Sequence, residues 1–165
     1  MMRFHHIGVF VSDIDSALRL WVDVLGFTLT HRAVIPDGRR AEPGTRMPQE
    51  TLDDIFGVEG ARSEMALLTS PDGAMIELQC PSTPAIERTP PERLRYGHTG
   101  IHELGFQVED IEGWFARIRA AGYETQTDYV WPWAVKGKSF LFYDQDGNLI
   151  QFCEQKGLPA WRPQA

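Results

Sequence analysis

Four polar residues stand at strand positions where their chemistry could serve a function: His6, Glu77, Glu103 and Gln151. An imidazole is a metal ligand in many proteins, and a carboxylate can transfer protons. Glu77 interrupts an otherwise apolar strand, where a carboxylate needs a hydrogen-bonding partner or solvent. Each residue alone is also explained as a polar side chain on a solvated sheet face. The functional interpretation therefore depends on whether the four occupy related positions.

An internal repeat relates them. The segment HIGVFVSDIDSALRLWVDVLGF from His6 matches ELGFQVEDIEGWFARIRAAGY from Glu103, 97 residues later. A second match joins DGAMIEL from Asp72 to DGNLIQF from Asp146, 74 residues later. The first copy therefore carries about 23 additional residues, which we place within the Pro-, Gly- and charge-rich stretch 36–60.

Each copy predicts a strand, a helix and about three further strands. Apolar residues alternate at the start of each copy, as in a half-buried strand. Asp13 and Asp110 follow at N-cap positions, and Gly26 and Gly122 stand where the helices would end. The Asp-Gly steps at 72–73 and 146–147 predict tight turns between strands. The fold class is therefore α+β, with two units forming halves of one sheet.

Strand alternation and the repeat register predict which side chains share a face. Ile7, Val9 and Val11 would pack against the helix, which directs His6, with Gly8 and Phe10, to the opposite face. The register pairs His6 with Glu103, His5 with His102, and Glu77 with Gln151. We therefore favour Glu103 over His102 as the residue equivalent to His6, although a local bulge could still recruit His102.

Length and composition limit the class of protein. The 165 residues predict a single domain, 1–165, with module one at about 4–80 and module two at about 100–155. The net charge of −7 argues against a nucleic-acid partner, and no apolar run is long enough to span a membrane. Two cysteines and no signal peptide predict a cytoplasmic protein. Within the stretch 36–60 we predict a short helix, 49–56, that belongs to a surface excursion or to a flap over a pocket.

The two repeat segments, with VEGARSEMALLTSPDGAMIEL and FLFYDQDGNLIQFCE, resemble the vicinal oxygen chelate superfamily, which includes glyoxalase I, methylmalonyl-CoA epimerase, extradiol dioxygenases and bleomycin resistance proteins. The resemblance implies two βαβββ modules in tandem that form a curved mixed sheet around a central cavity. It also implies a metal site at His6, Glu77, Glu103 and Gln151. The last two depart from the glyoxalase pattern, which usually has His and then Glu, but the total ligand charge is the same.

The resemblance implies a glyoxalase-like lyase, isomerase or epimerase that acts on a small substrate with vicinal oxygens through a metal-stabilised enolate or enediolate. One divalent ion (Zn, Ni, Co, Mn, Fe or Mg) is expected as cofactor, with Glu77 and Glu103 as the catalytic carboxylates. A metal-free protein that binds a drug or aromatic molecule is the alternative, with Phe10, Trp131 and Trp133 lining its pocket; an extradiol-type dioxygenase is a further one. The expected partners are the substrate and a second copy of the chain in a homodimer.

Overall fold

The computed structural model describes residues 1–133 and 136–155. The chain divides into two compact units, unit 1 (Met1–Arg88) and unit 2 (Thr89–Ala165). Each unit contains one four-stranded sheet and follows the order strand, helix, three strands that the repeat predicts. The α+β class and the two βαβββ modules are confirmed, and the strands form two mixed sheets, one in each unit.

Unit 1 contains the longer copy of the repeat. Its elements are β1 (Ile7–Phe10), α1 (Ile14–Leu18), a π-helical segment (Arg19–Val24), β2 (Thr28–Ile35), α2 (Gln49–Phe56), β3 (Arg62–Thr69) and β4 (Met75–Thr83). The sheet order is β1-β4-β3-β2, with β1 parallel to β4 and the other pairs antiparallel. The predicted helix 49–56 is therefore present, between β2 and β3.

Unit 2 repeats this topology without the additional helix. A 3₁₀ turn (Pro91–Arg93) precedes β5 (Glu103–Gln107), α3 (Ile111–Ala120), β6 (Trp131–Trp133), β7 (Gly137–Tyr143) and β8 (Leu149–Gln155). The sheet order is β5-β8-β7-β6, with β5 parallel to β8. The register preserves the repeat, because Gly8 lies opposite Glu77 in unit 1 and Gly105 lies opposite Gln151 in unit 2.

The helix ends follow the sequence signals. The side chain of Asp13 accepts a hydrogen bond from the Ser16 backbone N–H at 2.7 Å, as the predicted N-cap of α1. Asp110 accepts one from the Gly113 backbone N–H at 3.3 Å. Gly26 has a φ of 80°, which favours glycine after a helix. The first helix differs from an ordinary α-helix, because its second half is π-helical.

The packed face of each sheet lies against its helix. In unit 1 the buried residues include Val9 and Leu78 of the sheet and Ala17 and Trp21 of the helical segment. In unit 2 the core is aromatic: Phe140 contacts Phe115 of α3 and also packs against the two sheet residues Phe142 and Phe152. The opposite face of each sheet is therefore left for other contacts. Among the described helices, none is both long and apolar enough to cross a membrane.

Truncation of Phe140 to alanine should destabilise the protein strongly. The ring is fully buried, so its loss leaves a cavity and lowers the free energy of unfolding by about 3–5 kcal/mol. Chemical denaturation measures this change. Tyr129→Ala is the control, because the side chain is 58% exposed and its truncation should change stability by less than about 0.5 kcal/mol. Equal effects of the two substitutions would contradict the assignment of Phe140 to the core.

Candidate functional site

His6 and Glu77 lie together at one end of the unit 1 sheet. Glu77 projects from β4 on the face opposite α1, and His6 immediately precedes β1, the strand parallel to β4. The His6 Nε2 atom is 3.8 Å from Glu77 Oε2, and the two side chains are 38% and 26% exposed. The structure thus brings together two of the four residues that the sequence singles out, with solvent access for a ligand.

A buried chain of hydrogen bonds positions the Glu77 carboxylate. Gln79 Nε2 donates to Glu77 Oε1 at 2.8 Å, and Ser63 Oγ lies 2.6 Å from Gln79 Oε1, to which it donates. Ser63 is fully buried and Gln79 is 7% exposed. The amide orientation follows from the charge, since a carboxylate needs a donor from Gln79. The arrangement leaves Glu77 Oε2 turned toward His6.

The other ring nitrogen of His6 is also engaged. His6 Nδ1 lies 2.6 Å from Nδ1 of His5, so one of the two nitrogens donates a hydrogen bond and the other accepts it. The two rings meet edge to face, with 4.9 Å between their centroids. This contact fixes the ring so that Nε2 is the nitrogen directed at Glu77, an orientation of the kind that outer contacts impose on metal-binding histidines.

A pocket of about 260 Å³ opens on the same face of unit 1. Its lining comes from three strands of the sheet and from the segment that follows β2: His31, Ala33, Ile35, Asp37, Arg46, Met47, Met65, Glu77 and Gln79. The candidate ligand Glu77 is therefore part of a cavity that could receive a small molecule.

The segment 36–60 packs on the sheet and forms one wall of this pocket. Leu52 of α2 is buried with Ile35 and Ala61, and Met47 packs against that cluster. The Asp37 carboxylate accepts hydrogen bonds from the backbone N–H groups of Met47 at 2.8 Å and Arg46 at 3.1 Å. The bond from Met47, together with the neighbouring Arg46, lowers the pKa of Asp37. A charged carboxylate thus anchors the loop at the pocket.

Unit 2 carries the second pair of predicted residues on the corresponding face. Glu103 begins β5, and Gln151 lies opposite Gly105, two residues further along that strand. The Gln151 side chain extends over the glycine, since a Cβ atom at position 105 would lie 3.6 Å from Gln151 Oε1. Cys153 shares this face, and its burial, with a smaller effect of the Glu103 charge, raises the pKa of its thiol.

Tyr96 is a residue at this site that the sequence did not indicate. Its hydroxyl donates a hydrogen bond to Glu103 Oε2. Burial and then the Glu103 contact raise the pKa of Tyr96 to about 12, so the hydroxyl stays protonated and remains a donor at neutral pH. The adjacent Arg95 stacks on the Tyr143 ring, 4.1 Å from its centroid. Tyr96 precedes the strand in an irregular segment, where no periodicity assigns side-chain directions.

His102 is the alternative to Glu103 that the sequence left open. Its Nε2 atom donates a hydrogen bond to the backbone carbonyl of His98, which commits that nitrogen to a local contact.

The three aromatic residues predicted to line a pocket lie in both units. Phe10 lies opposite Gln79 on the Glu77 face of the unit 1 sheet and is 51% exposed. Its ring centroid is 6.2 Å from that of Phe56 in α2. Trp131 packs on a buried cluster of Leu141, Tyr143 and Leu149. Trp133 pairs with Gly137 across β6 and β7, and a Cβ atom added at Gly137 would lie 3.3 Å from the Trp133 ring.

Within residues 1–133 and 136–155, no group of three or more His, Cys, Asp or Glu side chains is close enough to hold a metal ion. The candidate residues therefore lie as follows: His6 is next to Glu77 in unit 1, and Glu103 and Gln151 share one face of the sheet in unit 2. Each pair has a neighbouring polar side chain that orients its carboxylate, Gln79 in the first case and Tyr96 in the second.

The fold corresponds to that of a known superfamily. The family model for the Glyoxalase/Bleomycin resistance protein/Dioxygenase superfamily matches residues 3–152, and the chain belongs to that superfamily. No curated protein matches the chain significantly.

Solved structures share the fold at low sequence identity. A glyoxalase family protein from Bacillus cereus is 21% identical with a TM-score of 0.76, over 93% of this chain and 94% of that one. A glyoxylase/bleomycin resistance protein/dioxygenase domain from Frankia sp. EAN1pec is 17% identical with a TM-score of 0.65, over 96% of each chain. The fosfomycin resistance protein FosX from Listeria monocytogenes, solved with Mn(II) and sulfate, is 14% identical with a TM-score of 0.58, over 95% of each chain.

Proposed function

We propose that this protein is a metal-dependent lyase, isomerase or epimerase of glyoxalase type that acts on a small substrate with vicinal oxygens. The observation that carries the proposal is the His6–Glu77 pair, in which an imidazole nitrogen lies 3.8 Å from a carboxylate oxygen at the edge of a pocket. The buried chain through Gln79 and Ser63 supports it, because metal-binding carboxylates are commonly hydrogen-bonded in this way.

The chemistry of the proposed donors suits a divalent cation. His6 and Glu77 supply one nitrogen and one carboxylate, and we propose Glu103 and Gln151 of unit 2 as the further ligands. Two carboxylates would neutralise a divalent ion, and this oxygen-rich set with one imidazole suits Mn, Fe, Co, Ni, Zn or Mg. The Mn(II) bound to FosX supports a metal of this kind. When bound, such an ion would polarise a substrate carbonyl and stabilise negative charge on its oxygen.

The protein side chains would orient the substrate and transfer the proton. Gln79 fixes Oε1 of Glu77 and leaves Oε2 directed toward His6. Tyr96 fixes Oε2 of Glu103 and leaves Oε1 available. We propose that one of these carboxylates accepts a proton from the carbon next to the substrate carbonyl and returns it to the same or the adjacent carbon. The net reaction would then be an isomerisation or epimerisation.

Metal content and proton exchange test this function together. We expect the purified protein to contain about one divalent ion per site by elemental analysis, and to lose activity when treated with a chelator. Proton transfer next to a carbonyl is followed by NMR as deuterium incorporation into 2-hydroxy ketones and 2-hydroxy acids in heavy water. A protein that binds no stoichiometric divalent ion and is insensitive to chelator would exclude the proposed mechanism. The expected homodimer is measured by light scattering.

A metal-free binding protein is the second candidate. It is favoured by the apolar part of the pocket lining, which comes from Ala33, Ile35, Met47 and Met65. Such a protein would bind an apolar small molecule with the same affinity before and after chelator treatment. Calorimetry under both conditions therefore separates the two functions.

Replacement of Gln79 by leucine should weaken metal binding without unfolding the protein. The variant removes the amide that donates to Glu77 Oε1, while Ser63 can donate instead to the Glu64 carbonyl at 3.0 Å. Loss of such an outer contact typically reduces metal affinity by about 10- to 100-fold. Mn(II) titration followed by electron paramagnetic resonance measures the change. Ser63→Ala should have a smaller effect, and an unchanged affinity in Gln79→Leu would contradict this role.

A further inference from the structure

The pocket of unit 1 has Glu77 and Gln79 at one end and an apolar floor of Ala33, Ile35 and Met65, and the segment 36–60 forms a wall beside this floor with Met47 and the Asp37–Arg46 pair. We propose that the floor, together with Met47 of this wall, binds the apolar body of the substrate. The substrate class is then a small molecule with vicinal oxygens at one end and a single uncharged chain of a few carbons at the other. This inference rests on the proposed function, because the oxygen-bearing end is assigned to Glu77.

The sheet register separates the two ends. Glu77 and His31 lie in one cross-strand row with Leu67 between them, so they are roughly 10 Å apart at a strand spacing of about 4.8 Å. Ile35 lies four residues from His31 along β2, which is roughly 13 Å at about 3.3 Å per residue, in the direction of the strand and at right angles to the first distance. Between these rows the lining is Ala33 and Met65. A molecule with its oxygens at Glu77 would therefore extend over an apolar floor toward Ile35.

Met47 is held in place at the apolar end. Its side chain packs against the buried cluster of Ile35, Leu52 and Ala61, and its backbone N–H donates to Asp37 at 2.8 Å. Methionine side chains are flexible and polarisable, and they pack well against apolar groups of irregular shape. The wall is thus anchored through its backbone, while the surface that it presents can adapt to a chain.

The charges at this end are paired with each other. Arg46 Nε lies 3.2 Å from Asp37 Oδ2, so the two formal charges compensate within the wall. A ligand tail carrying its own charge would have to compete with that pair, whereas an uncharged chain would not. The pocket volume of about 260 Å³ lies below the range of about 300–1,000 Å³ that is usual for drug-sized ligands. Both features favour a short apolar tail.

A graded series of 2-hydroxy acids tests the inference with the full chain. Glycolate, 2-hydroxybutyrate and 2-hydroxyhexanoate are titrated calorimetrically with and without Mn(II). In the wild type we expect affinity to rise by about three- to fourfold for each added methylene group, the value for burial of one methylene. Met47→Trp should abolish this increase, so that the three acids bind with similar affinity. Met47→Ala should extend the increase to 2-hydroxyoctanoate, because it enlarges the pocket.

Val34→Trp is the matched control. Val34 lies on the same strand as Ala33 and Ile35 but on the other face, where it is 45% exposed, so its replacement should leave the chain-length dependence unchanged. The inference is overturned if wild-type affinity does not rise with chain length, whether or not the acids bind, or if Met47→Trp retains the rise. A rise that is independent of Mn(II) would instead overturn the metal-dependent function and leave the binding wall intact. Circular dichroism confirms that each variant is folded.

Discussion

Replacement of Glu77 by glutamine is expected to reduce divalent-metal affinity by more than about 100-fold and to remove catalytic activity. The substitution keeps the size of the side chain but removes its charge, which is half of the negative charge proposed to neutralise the ion. Loss of an outer contact alone typically costs about 10- to 100-fold, so loss of a charged ligand should cost more. The new amide also disturbs the existing hydrogen bond, since its NH₂ group can face the NH₂ group of Gln79.

The control for this experiment is Glu64→Gln. Glu64 lies in the same sheet, and the substitution makes the same change in charge, but the side chain is on the helix-packed face and pairs with Arg32 at 2.6 Å. Partly exposed ion pairs of this kind contribute little to stability, so metal affinity and activity should remain near wild type. Mn(II) titration and elemental analysis measure both variants. Retention of stoichiometric metal by Glu77→Gln, with activity intact, would show that this carboxylate is not a ligand.

The position of Glu77 could be predicted because strands impose a strict alternation on their side chains. Apolar residues at 76 and 78 require one face, so residue 77 must project from the other. The same rule places Gln79 beside it, two residues further along, although its role in orienting Glu77 was not predicted. The internal repeat then predicts an equivalent position in unit 2, where Gln151 lies opposite Gly105 as Glu77 lies opposite Gly8.

Residues at irregular positions could not be placed in this way. Ser63 lies in β3 and reaches Gln79, but the pairing of β3 with β4 shifts register next to it, between Arg62 and Ser63. Met47 and Tyr96 belong to irregular segments. Neither the helical nor the strand periodicity of apolar residues therefore predicts the direction of their side chains. Their positions depend on contacts made only in the folded unit: the Asp37 carboxylate anchors the first, and Glu103 binds the second.

The π-helical segment after α1 shows a different limit of structure prediction from the sequence. The spacing of apolar residues predicts one helix face from 17 to 25, and the helix indeed continues to Val24. Its hydrogen bonding changes, however, because the Leu25 N–H donates to the Leu20 carbonyl, five residues back, at 2.9 Å. Leu20 and Trp21 are both fully buried in this segment. The apolar pattern predicts which residues face the core, but it does not distinguish a π-helical turn from an α-helical one.

Substitutions at two neighbouring residues of unit 2 should differ in their effect on metal affinity, because Glu103→Gln removes a proposed ligand and His102→Ala does not. We expect Glu103→Gln to lower metal affinity by more than about 100-fold, as for the other proposed carboxylate ligand, and to remove activity. Glu103 lies on the face that carries Gln151, and its carboxylate accepts a hydrogen bond from Tyr96. His102 precedes the strand, and its Nε2 already donates to the His98 carbonyl, so His102→Ala should retain both metal and activity.

Tyr96→Phe separates the role of the carboxylate from that of its partner. This variant removes the donor to Glu103 but keeps the ring, so we expect metal affinity to fall by about 10- to 100-fold, as is typical for loss of an outer contact. Elemental analysis and Mn(II) titration of the three variants give the order of effects, with Glu103→Gln the largest, Tyr96→Phe intermediate and His102→Ala negligible. Loss of metal in His102→Ala but not in Glu103→Gln would reverse the register of the second module. It would mean that a local distortion before β5 turns the histidine into the site, so that this protein follows the usual glyoxalase ligand pattern at that position.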